Sequence, residues 1–192
     1  CFWIWGPWLD YYPQGGAAIA NMDGDPAPEI VLTGSTGTGW FSPFYLYVLE
    51  ADGHRAWRHS LGNTYLNPAT PPVLADLTGD GALDILVATR STLVLLDYAH
   101  QEVAFTQVVT PNLSIYGSPA VADVDGTLPG GDPGPEIAIA WDGYVELRDA
   151  DGSLLWSAEV GGIMPGSVAI ADVDGDRQVG IVTSMKVENG AG

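Results

Sequence analysis

Ser167-Val-Ala-Ile-Ala-Asp-Val-Asp-Gly-Asp176 is a short apolar run that ends on a loop with an acidic residue at every second position. A similar arrangement, with Asn21 and Thr78 each in place of an acid, stands at Ala17-Ala-Ile-Ala-Asn-Met-Asp-Gly-Asp25, Pro72-Val-Leu-Ala-Asp-Leu-Thr-Gly-Asp80 and Pro119-Ala-Val-Ala-Asp-Val-Asp-Gly126. The first loop residues, Asn21, Asp76, Asp123 and Asp172, are spaced by 55, 47 and 49 residues. Self-similarity at such a period marks a chain of stacked supersecondary units. A second apolar run follows each loop: Glu29-Ile-Val-Leu32, Asp84-Ile-Leu-Val87, Glu136-Ile-Ala-Ile-Ala140 and Gly180-Ile-Val-Thr183.

A third run follows in the first three repeats, at Phe44-Tyr-Leu-Tyr-Val-Leu49, Thr92-Leu-Val-Leu-Leu96 and Tyr144-Val-Glu-Leu147. A fourth comes after a turn, most clearly in Ala51-Asp-Gly-His-Arg-Ala-Trp57 and Ala150-Asp-Gly-Ser-Leu-Leu-Trp156. Asp-Gly signals a hairpin because glycine takes positive φ without penalty. No long stretch keeps a 3.6-residue apolar period with caps, so almost no helix is expected. The reading is all-β: a β-propeller of four-stranded antiparallel blades, of which about 3.5 to 4 are present. A β-sandwich gives no reason for one loop to recur at fixed spacing. Residues 1–14 form an aromatic N-terminal segment, and the repeats run over 15–66, 67–113, 114–162 and, in part, 163–185, with a tail at 186–192. The fourth repeat stops after two strands. The chain is therefore an arc or fragment of a larger propeller, unless Phe2–Leu9 supplies a strand.

The 192 residues carry 24 Asp plus Glu against six Lys plus Arg, a net charge of −18, which argues against nucleic acid as a partner. With 46% hydrophobic residues the chain can still build a core. No apolar run approaches the length of a membrane-spanning helix. The only cysteine, Cys1, excludes an internal disulfide. A leading cysteine is also what a processed bacterial lipoprotein presents, so Cys1 is a candidate lipid attachment site. The adjoining Phe2-Trp3-Ile4-Trp5-Gly6-Pro7-Trp8 suits a lipid interface, a partner or a buried closing strand.

Each loop offers oxygen ligands at positions 1, 3, 5 and 9, with a backbone carbonyl at position 7. In the first these are Asn21, Asp23, Asp25 and Glu29 with Ala27; in the second, Asp76, Thr78, Asp80 and Asp84 with Ala82. The third holds Asp123 and Asp125, and removing a five-residue insertion, Thr127–Gly131, brings Asp132 and Glu136 to positions 5 and 9. The fourth holds Asp172, Asp174 and Asp176 with Gln178 at position 7, but Gly180 where the last carboxylate belongs. Calcium takes six to eight hard oxygen ligands, and clustered carboxylates repel without a cation. The expectation is three to four calcium ions. An EF-hand is excluded, because position 12 falls on Leu32, Val87 and Thr183.

Gly117-Ser-Pro-Ala-Val-Ala-Asp-Val-Asp-Gly126, followed by Pro135-Glu-Ile-Ala-Ile139, resembles the FG-GAP/VCBS repeat of integrin α-like propellers and bacterial surface proteins. The resemblance spans residues 15 to 185. It implies that the loop joins the first two strands of a blade and that calcium stiffens it. A weaker similarity, at residues 149–156, is to PQQ-like propellers.

The resulting expectation is a non-enzymatic binding, adhesion or assembly module that is extracellular, cell-surface or periplasmic. Its partner would be a protein or surface glycan. Two alternatives are the propeller of a secreted polysaccharide lyase and a lipoprotein subunit of a larger membrane or surface assembly. A lyase needs a base and a cation, and the candidates are His54, His59, His100, Arg55, Arg58, Arg90, Arg148 and Arg177. These read as exposed turn or edge positions, and no catalytic residue is assigned. Trp57 and Trp156 are read as blade-packing residues rather than a carbohydrate platform.

Overall fold

The computed structural model describes residues 12–13, 16–35, 43–63, 70–109, 115, 117–124, 134–161, 166–175 and 179–184. These residues form strands and turns and no helix, an all-β chain as the short apolar runs between turns predict. Every pairing between strands is antiparallel. The chain divides into two compact units, Cys1–Pro72 and Val73–Gly192.

The first unit holds one five-stranded sheet. Its strands are β1 (Tyr12–Pro13), β2 (Ala18–Ala20), β3 (Glu29–Ser35), β4 (Pro43–Leu49) and β5 (Arg55–Asn63). Strand β3 pairs with β4 along one edge. Along the other it pairs with β2 at its start and β1 at its end. Ala20 faces Glu29, so the first acidic loop closes the β2–β3 hairpin. Val31, Leu46, Tyr47 and Val48 are completely buried, which anchors the two middle strands.

The second unit holds three sheets. One runs β6 (Val73–Ala75), β7 (Asp84–Ala88), β8 (Thr92–Asp97), β9 (Glu102–Val108). The next runs β10 (Ala120–Ala122), β11 (Glu136–Trp141), β12 (Tyr144–Arg148), β13 (Leu154–Glu159). The last pairs β14 (Val168–Ala171) with β15 (Gly180–Thr183). Strand β10 lies beside both β6 and β14, so the first strands of successive sheets are neighbours. Successive residues of a strand point to opposite faces. Accordingly Ile137 and Ile139 of β11 pack with Leu86, Ala88, Leu93 and Leu95, while Ala138 and Ala140 pack with Val145, Leu147 and Val168. Burial on both faces is why β7 and β11 read as continuous apolar runs. Each buried Leu, Ile or Val among them contributes roughly 1.5–3 kcal/mol.

The turn before β5 and the turn before β13 are built alike. Glu50 and Asp149 each accept from the glycine three residues on, Gly53 and Gly152, at 2.8 and 2.9 Å. Both glycines have positive φ. In the β8–β9 turn Gln101 donates to the Tyr98 carbonyl in the same way, at φ 55°. Trp57, Phe105 and Trp156 stand at one register, opposite Val48, Leu95 and Leu147, each beside a register shift. Phe105 packs on the Gly152 turn, where an added Cβ would sit 3.0 Å from its ring. Trp57 is half-buried, but Trp156 keeps 42% of its surface exposed, so packing inside the described residues does not account for it. Arg148 corrects the expectation of an exposed cation. It is buried, binds Glu146 through Nε and Nη2 at 3.0 and 2.7 Å, and donates to the Gly152 carbonyl.

Candidate functional site

Three of the loops share one hydrogen bond. The side-chain Oδ1 at position 1 accepts the N–H of the glycine three residues on, at 2.7 Å in each pair: Asn21–Gly24, Asp76–Gly79 and Asp172–Gly175. Those glycines have φ of 83°, 77° and 81°, a conformation that L side chains avoid. This is why glycine recurs at position 4.

A second bond ties the end of the loop to its start. Position 9 accepts the N–H of position 2: Met22 to Glu29 Oε2 at 2.6 Å, Leu77 to Asp84 Oδ2 at 2.8 Å, and Val124 to Glu136 Oε2. Donor and acceptor are seven residues apart in the first two loops and twelve in the third, a difference equal to the five-residue insertion. Glu136 therefore holds the place of Glu29 and Asp84. All three are buried.

In the first loop, one carboxylate oxygen each from Asp23, Asp25 and Glu29 lies within 4.8 Å of the other two. Oxygens on opposite sides of one calcium ion are separated by about 4.6–5.2 Å, so this set fits a single ion. Asp23 and Asp25 also accept the N–H groups of Asp25 and Ala27, at 3.0 and 2.6 Å, and the Asn21 amide donates to the Asp25 carbonyl. Glu29 is 0% exposed, and its Oε1 meets no hydrogen-bond donor among the described residues. A buried carboxylate oxygen without a donor is what a cation would satisfy. Glu50, at the end of β4, stands in the same field. Its carboxyl is pushed above the usual range, by loss of water first and then by Glu29, Asp23 and Asp25.

The second loop satisfies itself differently. Asp84 Oδ2 accepts from both Leu77 and Thr78 N–H at 2.8 Å, and the Thr78 side chain bonds to it too. Burial nevertheless raises the Asp84 carboxyl, and Asp97 adds repulsion. Asp76 takes Gly81 N–H at 2.9 Å as well, and Asp80 takes Ala82 N–H at 2.8 Å. Asp80 clusters not with Asp76 and Asp84 but with Asp97 and His100. His100 Nδ1 lies 2.7 Å from Asp97 and 3.9 Å from Asp80. The hydrogen bond to Asp97 raises the imidazole, and the His100 N–H lowers the Asp97 carboxyl. Sequence reasoning missed Glu50 and Asp97. The local signal was an acid at or just after the end of β8 and β4, Asp97 and Glu50.

In the third and fourth loops Asp123, Glu136, Asp172 and Asp174 are described, while Asp125, Asp132, Asp176 and Gln178 lie outside the described residues, as do Cys1, Phe2–Leu9 and Arg177. Of the histidines, His54 pairs with Asp52 at 2.9 Å, and His59 packs on Trp57, its imidazole lowered by burial. Arg58 lies over the Tyr45 ring.

No protein-family model and no curated protein matches the sequence. Among solved structures the fold is similar to that of the V. cholerae biofilm matrix protein Bap1, with a TM-score of 0.63 and 23% identity. The likeness covers 88% of this chain and 24% of that one, so the chain spans about a quarter of the length of that protein.

Proposed function

We propose that the chain is a non-enzymatic, calcium-stabilised β-propeller module of FG-GAP/VCBS type, working outside the cytoplasm in adhesion or assembly. The observation that carries this reading is the first loop, where three clustered carboxylates include a buried oxygen with no donor. Asp23, Asp25 and Glu29 would hold the ion there, with Asn21 and the Ala27 carbonyl completing the shell. Equivalent positions in the other loops would hold further ions, up to three or four in all. Bound calcium supplies positive charge and cross-links the loop to the hairpin it closes.

The propeller reading is supported by antiparallel sheets that follow one another with their first strands side by side. An extracellular or cell-surface location is supported by the likeness to a biofilm matrix protein, and by the calcium available outside cells to weak sites. The ring and carboxylate contacts of the histidines favour structural roles for them. The partner would be a protein or a surface glycan.

Thermal unfolding in millimolar calcium and in excess EDTA tests the reading. The expected result is a melting temperature several degrees higher with calcium, since a ligand of the folded state adds to its stability. Coincident melts, from samples that elemental analysis shows to be metal-free under EDTA, would overturn it.

A further inference from the structure

The first two loops have the same spacing but not the same internal accounts. Asp84 Oδ2 is filled by the Leu77 and Thr78 N–H groups, and its carboxyl also takes a bond from the Thr78 side chain. Glu29 takes the Met22 N–H on Oε2, and its Oε1 is left buried without a donor among the described residues. One methylene separates the two side chains. The shorter carboxylate takes two peptide N–H groups of its own loop, whereas the longer one takes one. A buried polar oxygen is stable only when something donates to it or coordinates it.

We infer that the two loops answer calcium unequally: the ion is required to hold the first loop and the β2–β3 hairpin in place, while the second loop holds its shape from its own hydrogen bonds. The inference rests on the calcium reading above and adds a regulatory consequence to it. The division of the chain gives the difference a boundary. The first loop belongs to Cys1–Pro72, and the second belongs to Val73–Gly192. Falling calcium then loosens the first unit at concentrations where the β6–β7 hairpin is still closed.

Hydrogen–deuterium exchange of the whole chain, in millimolar calcium and in EDTA, reads both hairpins in one sample. Chelation is expected to speed amide exchange across residues 18–35 by about tenfold or more, and across residues 73–88 by less than about twofold. Glu29→Gln removes the charge and should abolish the calcium response of residues 18–35. Asp23→Asn, on an exposed loop position, should weaken it without threatening the fold. Asp84→Asn should leave that response in place. Equal loss of protection in both hairpins, or loss confined to residues 73–88, would overturn the inference while the calcium reading stands. Calorimetry that detects no calcium binding to the wild-type chain would overturn both.

Discussion

Gln101 shows how a single residue departs from its repeat. It sits at φ 55° in the turn where the other hairpins place Gly53 and Gly152. A side chain in the left-handed region costs about 1 kcal/mol, partly offset by the extra unfolded-state freedom of glycine. Gln101→Gly should therefore raise stability by about 0.5 kcal/mol, read as a higher urea midpoint at unchanged slope. A lower midpoint would mean that the Gln101 side chain contributes more than its backbone costs.

Asp151 illustrates a titration at the same scale. Its Oδ1 accepts the Ser153 N–H at 2.8 Å, and that bond lowers the carboxyl below its usual value. A depressed carboxylate contributes stability above the unfolded pKa of about 3.9 and loses it as pH falls through the folded value. Asp151→Asn should melt below wild type at neutral pH, and the two curves should converge as pH drops below about 4. Parallel melting curves down to pH 2 would show that the bond carries no charge-dependent stability.

At the scale of elements, the close approach of first strands is set by glycine. A Cβ on Gly117 would lie 2.3 Å from the Gly166 carbonyl oxygen, a backbone atom that cannot swing aside. Ser118 N–H donates to Ser167 Oγ at 3.1 Å alongside it. Gly117→Ala should cost about 1–3 kcal/mol by overpacking. The loss should appear as faster hydrogen exchange in β14 and β15, with β7 and β8 unchanged. A uniform change across the second unit would assign the effect to global stability instead. The strands themselves were legible because their apolar runs are four to seven residues long and bounded by Gly, Pro and Asp. Burial of Arg148 was not. A charge on a short strand between apolar residues looks like a solvent-facing position until its partners, Glu146 and the Gly152 carbonyl, are seen around it.

At the scale of the molecule, the acidic loops explain where much of the −18 charge is placed. The repeat made their positions readable without a structure: position 1 binds the glycine N–H, and position 9 binds back to position 2, because local hydrogen bonds depend on sequence spacing. The five-residue insertion in the third loop could likewise be placed by counting. The sequence alone thus determined the all-β class, the hairpin that each loop closes and the carboxylates within it, all features governed by neighbours along the chain. Only the tertiary structure decided which carboxylate is left without a donor, that Glu50 and Asp97 approach the loops from elsewhere in their sheets, and that Trp156 is exposed where its counterpart Phe105 is half-buried. Those depend on distances between segments far apart in sequence, which local spacing does not encode.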